Sequence, residues 1–344
     1  MGHDAARADA TGQHPMPIDR LFSQVGDFPL GEGTGRIDYQ AVDSTMQRLY
    51  IAKMAAGTLL VFDIRQNKLV TELAGFPKVT GVLAVPELHR VYASVPGAGI
   101  IPSIVVGLGM VGLSSGRGEV AILDTTDMHE IARLPGGVFP DGLAYDPKDR
   151  KIFVSDEFGA AVLAIDAGTD RFLGRVEAGG EVGNVRYDPI TQKLYAPIQS
   201  RDELAVIDPV GALLVAHYAL PGCEHPHGLA IAPGAAVGYV ACDGNDLLVT
   251  VDLVAEKMLD RQALGHDPDV LAIDPDMRRL YVASESGNLS SFDIAATTAP
   301  ISLGDVFVGI DAHSVIVDPT THRLYLPLAD VNGRSVMRVL APRS

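Results

Sequence analysis

Short apolar runs alternate with polar turn clusters along almost the whole chain. Lys68 to Leu73 and Phe172 to Val176 are two such runs, and Asp63-Ile64-Arg65-Gln66-Asn67 is one of the turns. Runs of this length, bounded by Gly, Pro, Asn and Asp, predict β-strands. Self-comparison shows that they recur as a unit. Seven segments share an apolar strand, a turn often spelled Asp-Pro, a basic residue, then an apolar residue and an aromatic. The aromatics are Tyr50, Tyr92, Phe153, Tyr195, Tyr239, Tyr281 and Tyr325, spaced 42, 61, 42, 44, 42 and 44 residues apart. Six residues before each stands a turn residue: Ser44, Pro86, Pro147, Pro189, Pro233, Pro275 and Pro319.

Each unit then continues alike. A second apolar run ends in Asp (Asp63, Asp124, Asp166, Asp208, Asp252, Asp293), and a further strand follows. Four short strands per unit make a sheet too small to bury both faces alone. Stacking the copies around an axis buries them and leaves only short edges. The expected fold is all-β, a seven-bladed β-propeller of four-stranded blades. The seventh unit runs out after Val336 to Ala341 with three strands, and Leu21 to Phe28 precedes the first unit. That N-terminal strand is expected to complete the last blade and close the ring. Residues 18–344 are then a single domain, with residues 1–17 a disordered polar tail.

The spacing of 61 exceeds the usual 42 by 19 residues and marks an insertion in the second blade, at 97–118. This apolar, Gly-rich loop is read either as a lid over one face or as a contact site for a protein partner. It contains Gly107, Gly109 and Gly112 in a GxGxxG pattern, and Gly112, Ser114 and Gly116 in a serine-elbow pattern. Neither sits in the strand–helix context that its chemistry needs.

Composition suits this architecture. Hydrophobic residues make up 47% of the 344 and charged residues only 20%, enough for a large core, and Gly (36) and Pro (22) supply turns. Tryptophan is absent, and with it the Trp-Asp blade signature. A net charge of −16 repels phosphate backbones, so nucleic acid is not an expected partner. No apolar run is long enough for a membrane span, and no signal peptide is visible. A closed ring of this kind is expected to be a monomer.

The stretches Gly35-Arg36-Ile37-Asp38-Tyr39, Pro140-Asp141-Gly142-Leu143-Ala144-Tyr145-Asp146-Pro147 and Leu220-Pro221-Gly222-Cys223-Glu224 resemble the YncE-like, YVTN-repeat propeller family. The resemblance covers roughly residues 20–340. It implies the propeller fold and an exported protein, periplasmic or secreted, and leaves the reaction open. A looser resemblance, through Leu30-Gly31-Glu32-Gly33 and Pro140-Asp141-Gly142-Leu143, is to gluconolactonase-type propellers. Those enzymes set a Glu, an Asn and an Asp around a divalent metal. Glu32 matches the Glu, but the Asn would fall at Asp141 or His227, a departure from that pattern.

In a propeller the innermost strands surround an axial channel. The residue six positions before each turn residue should stand at its mouth. These ring positions are Asp38, Thr80, Asp141, Gly183, His227, Asp269 and His313. Two residues earlier lie His225, Asp267 and Asp311, with Glu181 in blade four. Imidazoles and carboxylates are the common ligands of zinc, iron, copper or manganese, and carboxylates of calcium. A divalent metal ion is therefore expected on His227, Asp269 and His313, with His225, His266 and Asp38 as further candidate ligands. A metal there would polarise a carbonyl or activate water. His227, His313 and Asp141 are the candidate catalytic groups. Arg36, Lys78, Glu157, Asp243 and Glu285 are candidates for contacting a small-molecule substrate, as are Gln199 and Asp330. Each Asp admits a plainer role, accepting backbone N–H groups in its turn.

Cys223 precedes the inner strand of blade five and Cys242 ends the next strand, which runs back toward the same face. They are read as a disulfide, which would suit an exported protein, or as two buried thiols or thiolate ligands. Two functional readings follow. One is a metal-dependent enzyme, a lactonase-like hydrolase or a lyase. The other is a non-catalytic propeller that binds a ligand or a protein.

Overall fold

The computed structural model describes residues 15–97 and 118–343. The strands form seven four-stranded antiparallel sheets, as the repeat requires. In blade one the order outward from the axis is Gln40–Asp43, Arg48–Lys53, Thr58–Asp63 and Lys68–Ala74. The next five blades follow the same order. Blade seven differs as expected: Ile316–Val317, Leu324–Leu328 and Val336–Pro342 are completed by Phe22–Pro29, antiparallel to Val336–Pro342. Arg338 clamps this seam, its Nε donating to Asp27 Oδ1 at 2.8 Å and its Nη2 to Oδ2 at 2.5 Å.

The repeated residues explain why the sheets stack. All seven repeat aromatics are buried, none more than 2% exposed. Each lies in a different apolar cluster, and each cluster spans one junction between neighbouring blades. Tyr239 packs with Leu271 and Leu280 of blade six. Tyr325 packs with Leu49, Ile51 and Leu60 of blade one, so ring closure buries the same kind of core as every other junction. Two hydroxyls also reach the next blade, Tyr195 to Leu253 O (3.2 Å) and Tyr239 to Thr297 O (2.8 Å). The repeated Asp residues shape turns. Asp63 Oδ1 accepts from the N–H groups of Arg65 and Gln66, and Asp252 Oδ1 from those of Val254 and Ala255. Such turns satisfy backbone donors that a tight hairpin leaves over.

At the tail, the backbone N–H of Met16 donates to Asp305 O at 2.7 Å and Met16 bridges Val306. Met16, within the expected tail, is thus placed against blade six. Residues 1–14 of that segment lie outside the described residues, as do residues 98–117 of the insertion with both of its glycine motifs. Among the described residues no helix is long and apolar enough to cross a membrane.

Candidate functional site

The ring positions are held by the backbone. In blades three, five and six the inner strand carries a bulge between Pro140 and Leu143, Pro226 and Leu229, and Pro268 and Leu271. Asp141, His227 and Asp269 sit inside these bulges, which re-aim a side chain that regular pleating would turn toward a neighbouring blade. In blade three the backbone here is gripped from the preceding blade. Ser94 Oγ donates to Asp141 O at 2.7 Å, and Thr80 Oγ1 to Pro140 O at 2.8 Å. Packing here leaves no room for side chains: a Cβ on Gly81 would lie 1.9 Å from Asp141 O, and one on Gly228 1.9 Å from Asp269 O.

The ring encloses a cavity of about 370 Å³ at the channel mouth. Six carboxylates line it (Asp38, Asp141, Glu157, Asp243, Asp269, Glu285), against Arg36 and three histidines (His225, His227, His313). Phe139 and Phe158, with ring centroids 4.9 Å apart, form part of its wall.

His313 is the centre of charge. Its Nε2 lies 2.5 Å from Asp38 Oδ1, and its Nδ1 lies 2.7 Å from Asp269 Oδ2 and 3.1 Å from Glu285 Oε1. Burial alone would push the imidazole toward its neutral form, but Asp269 and Asp38 outweigh burial and hold its pKa well above the usual histidine range. Burial likewise opposes ionisation of Asp269, yet His313 and His227 bring its pKa down to about 2. Arg36 closes the cluster, donating to Glu285 Oε1 at 2.9 Å with Nη2 3.1 Å from His313 Nδ1. One oxygen of Asp269, one of Glu285 and one nitrogen of His313 lie within 4.8 Å of one another, a spacing that a metal ion could bridge.

His227 belongs to a different network. Asn184 Nδ2 donates to Tyr39 Oη (2.9 Å), Tyr39 Oη to His227 Nε2 (2.9 Å), His227 Nδ1 to Gln199 Oε1 (3.0 Å), and Gln199 Nε2 to Glu157 Oε1 (3.1 Å). Tyr39 Oη and His227 Nε2 also lie 3.5 and 3.4 Å from Asp269 Oδ1, so this chain meets the His313 cluster at Asp269. At its end, burial pushes the Glu157 carboxyl well up, with repulsion from Asp141 adding to it. Burial and the charge of Asp38 push Asp141 up to about 6. These two acids are the ones in the cavity poised to carry a proton.

The structure thus rearranges the expected ligand set. Asp269 and His313 lie together, joined by Glu285, which was expected to contact substrate; His227 touches the group only through Asp269, its Nε2 3.4 Å from Oδ1, and hydrogen-bonds Tyr39 and Gln199. Asp38 stands behind His313. His225 lines the cavity wall, tied to Asp243 at 3.0 Å, and that hydrogen bond raises its pKa. His266, just before the bulge of blade six, lies away from the cavity with Asp246 (3.1 Å) and Asp267 (3.5 Å), a second group whose ligand atoms fall within 4.8 Å of one another. Lys78, Asp330 and Glu32 do not line the cavity. Glu32 is exposed and offers its carbonyl to the buried Lys53 ammonium at 2.6 Å. Cys223 and Cys242 form a disulfide, which removes thiolate ligation.

Tyr39 and Asn184 were missed. A signal existed: one residue after each ring position stand Tyr39, Gly81, Gly142, Asn184, Gly228, Val270 and Ser314. Five are small or aliphatic, and the two that are not reach into the axis. Tyr39, 7% exposed, separates the mouth cavity from the channel beyond.

Fold and ring together define a seven-bladed β-propeller with an acidic, histidine-bearing axial cavity. No family model matches the chain, and no curated protein matches it. Solved structures do. Hydrazine synthase of Kuenenia stuttgartiensis superposes with a TM-score of 0.70 at 16% identity, covering 87% of this chain and 94% of that one. The RRP9 WD40 repeats give 0.73 at 9% identity, covering 96% and 99%. U3-55K gives 0.73 at 8%, covering 95% and 100%. At these identities the likeness is one of fold.

Proposed function

We propose that the protein is a metal-dependent enzyme acting on a small molecule at the channel mouth, a hydrolase of lactonase type or a lyase. The observation that carries this reading is the convergence of Asp269, Glu285 and His313 ligand atoms within 4.8 Å, with Asp38 directly behind His313. A carboxylate that accepts from one ring nitrogen orients the other toward a cation and raises its basicity. Asp269, Glu285 and His313 Nδ1 would hold the divalent ion. When bound, such an ion supplies Lewis-acid polarisation of a carbonyl or an activated water.

The chain's own residues supply the rest. Asp141, with its pKa pushed up to about 6, is suited to deliver or accept a proton near neutral pH, and Glu157, pushed well up by burial, to hold one. Arg36, with its side chain 46% exposed, is placed to turn from Glu285 to a substrate carboxylate. Phe139 and Phe158 give the cavity an apolar wall that displaces water. The Cys223–Cys242 disulfide supports the further proposal that the protein is exported.

A second reading, a binding propeller without catalysis, is favoured by Arg36, whose guanidinium already neutralises Glu285 beside His313. Metal analysis of the purified protein, before and after chelation and reloading, separates the two. The enzyme reading expects about one divalent ion per chain, lost in Asp269→Asn/Glu285→Gln and held more tightly in Arg36→Gln. No retained metal at any pH above 7 would sink it in favour of the binding reading.

A further inference from the structure

Beyond Tyr39 the channel opens into a second cavity of about 470 Å³. Its walls are the inner strands themselves, with Val42, Leu83, Ala144, Ile273 and Ile316 among the apolar residues that line it and Gln40, Tyr145, Asn184 and Tyr187 among the polar ones. Arg186, on the inner strand of blade four, is the only charged one among the described residues that line it. Arg186 Nη1 donates to Val185 O at 2.9 Å. No Asp or Glu oxygen forms an ion pair with it within 4.0 Å among the described residues. Burial pushes its pKa down, opposed only by the more distant Tyr39 and Asp141. The basic groups at the mouth, by contrast, are paired: Arg36 with Glu285, and His313 with Asp38 and Asp269.

A half-buried guanidinium with no acidic partner, in a channel lined by both polar and apolar residues, favours a ligand that brings a negative charge. A purely apolar ligand would leave it uncompensated. A cation would be repelled. Inorganic phosphate would match the charge but make no use of the apolar residues that line most of the wall. A carboxylate on an apolar body satisfies both parts of the cavity: two oxygens for the planar fork of arginine, and hydrocarbon for the strand side chains. The volume falls in the range of small-molecule sites.

We propose that the channel below Tyr39 is a binding site for a small organic carboxylate with an apolar body, held by Arg186. This site is separate from the mouth cavity, sharing with it only the partition formed by Tyr39, and it does not depend on the cation reading.

The test is calorimetry and thermal shift with hexanoate and benzoate, in the presence of a chelator, against hexanamide, benzamide and inorganic phosphate. One equivalent of carboxylate per chain is expected to bind saturably, with the amides and phosphate weaker by about tenfold or more, a difference that one charge-assisted pair readily supplies. Arg186→Met should abolish binding and raise the melting temperature of the unliganded protein, because an unpaired charge is removed. Arg186→Lys, which keeps the charge without the fork, should bind several-fold more weakly than wild type. Arg65→Gln, at an exposed arginine of an outer turn, should change nothing. The proposal fails if folded wild type binds none of the carboxylates, if phosphate binds as well as they do, or if Arg186→Met binds normally. It fails equally if Arg186→Met lowers the melting temperature, which would make Arg186 a structural residue.

Discussion

Asp38 of the first blade and His313 of the last meet at the seam of the ring, Oδ1 to Nε2 at 2.5 Å, with both side chains 5% exposed or less. The contact joins the two ends of the propeller and fixes the histidine on which the mouth cavity is centred. His313→Ala leaves Asp38 and Asp269 buried without their shared counter-charge. Breaking a buried pair from one side costs about 3–5 kcal/mol. Urea denaturation at pH 7 should show a loss of that order, and a loss below about 1 kcal/mol would mean that the pair contributes little.

Asp141 sets a pH dependence. Its pKa in the folded chain is about 6 against an ordinary 3.8, because burial and Asp38 disfavour its charge. The sign follows from linkage: its contribution is fully present below the unfolded value and is lost as pH rises through about 6. Asp141→Asn, which mimics the protonated form, should match wild type near pH 4 and melt higher than wild type at pH 8. An asparagine variant that melts lower at pH 8 would refute the assignment.

Gly81 and Gly228 are expected to tolerate no side chain. Alanine at either would press on the carbonyl of the next ring residue at 1.9 Å. Overpacking of this kind typically costs about 1–3 kcal/mol. Gly228→Ala should in addition weaken any cation held at Asp269, measured by metal titration alongside the melting temperature. Unchanged stability in both variants would show that the blades slip apart more readily than this packing implies.

The disulfide gives a redox prediction. Cys223 and Cys242 are 19 residues apart in sequence, and closing a loop of that length is worth about 3 kcal/mol in the unfolded chain. Reduction, or the Cys223→Ser/Cys242→Ser pair, should lower stability by roughly that amount and leave the far-ultraviolet spectrum of the folded protein unchanged. Equal melting temperatures for fully reduced and oxidised protein would contradict it.

The fold was legible because one residue type does one job seven times. Each repeat aromatic marks the second strand, and each is buried at one junction, so its spacing reports the blade count directly. The ring positions could be counted from the same register, which is why Asp38, Asp141, His227, Asp269 and His313 all reach the mouth cavity. Their partners could not be counted. Whether His227 faces a cation or Tyr39 depends on which side chain crosses the axis, and that turns on two residues, Tyr39 and Asn184, that replace small ones elsewhere. His266 stands just before the bulge that aims Asp269 inward, so its ligand atoms converge with those of Asp246 and Asp267 outside the mouth cavity. Arg186 lies beyond the ring positions, in an inner strand whose equivalents are mostly aliphatic.

The pairing of Phe22–Pro29 with Val336–Pro342 has a bearing on how the molecule is made. Every other blade is built from strands adjacent in sequence and can form as soon as its own segment leaves the ribosome. The closing blade needs partners more than 300 residues apart, so the first strand must wait, unpaired, for almost the entire chain to be synthesised. His313 and Asp38 are assembled in that same final event. The mouth cavity therefore comes into existence last, and a chain interrupted before Val336 would possess most of the walls of its site without the site itself.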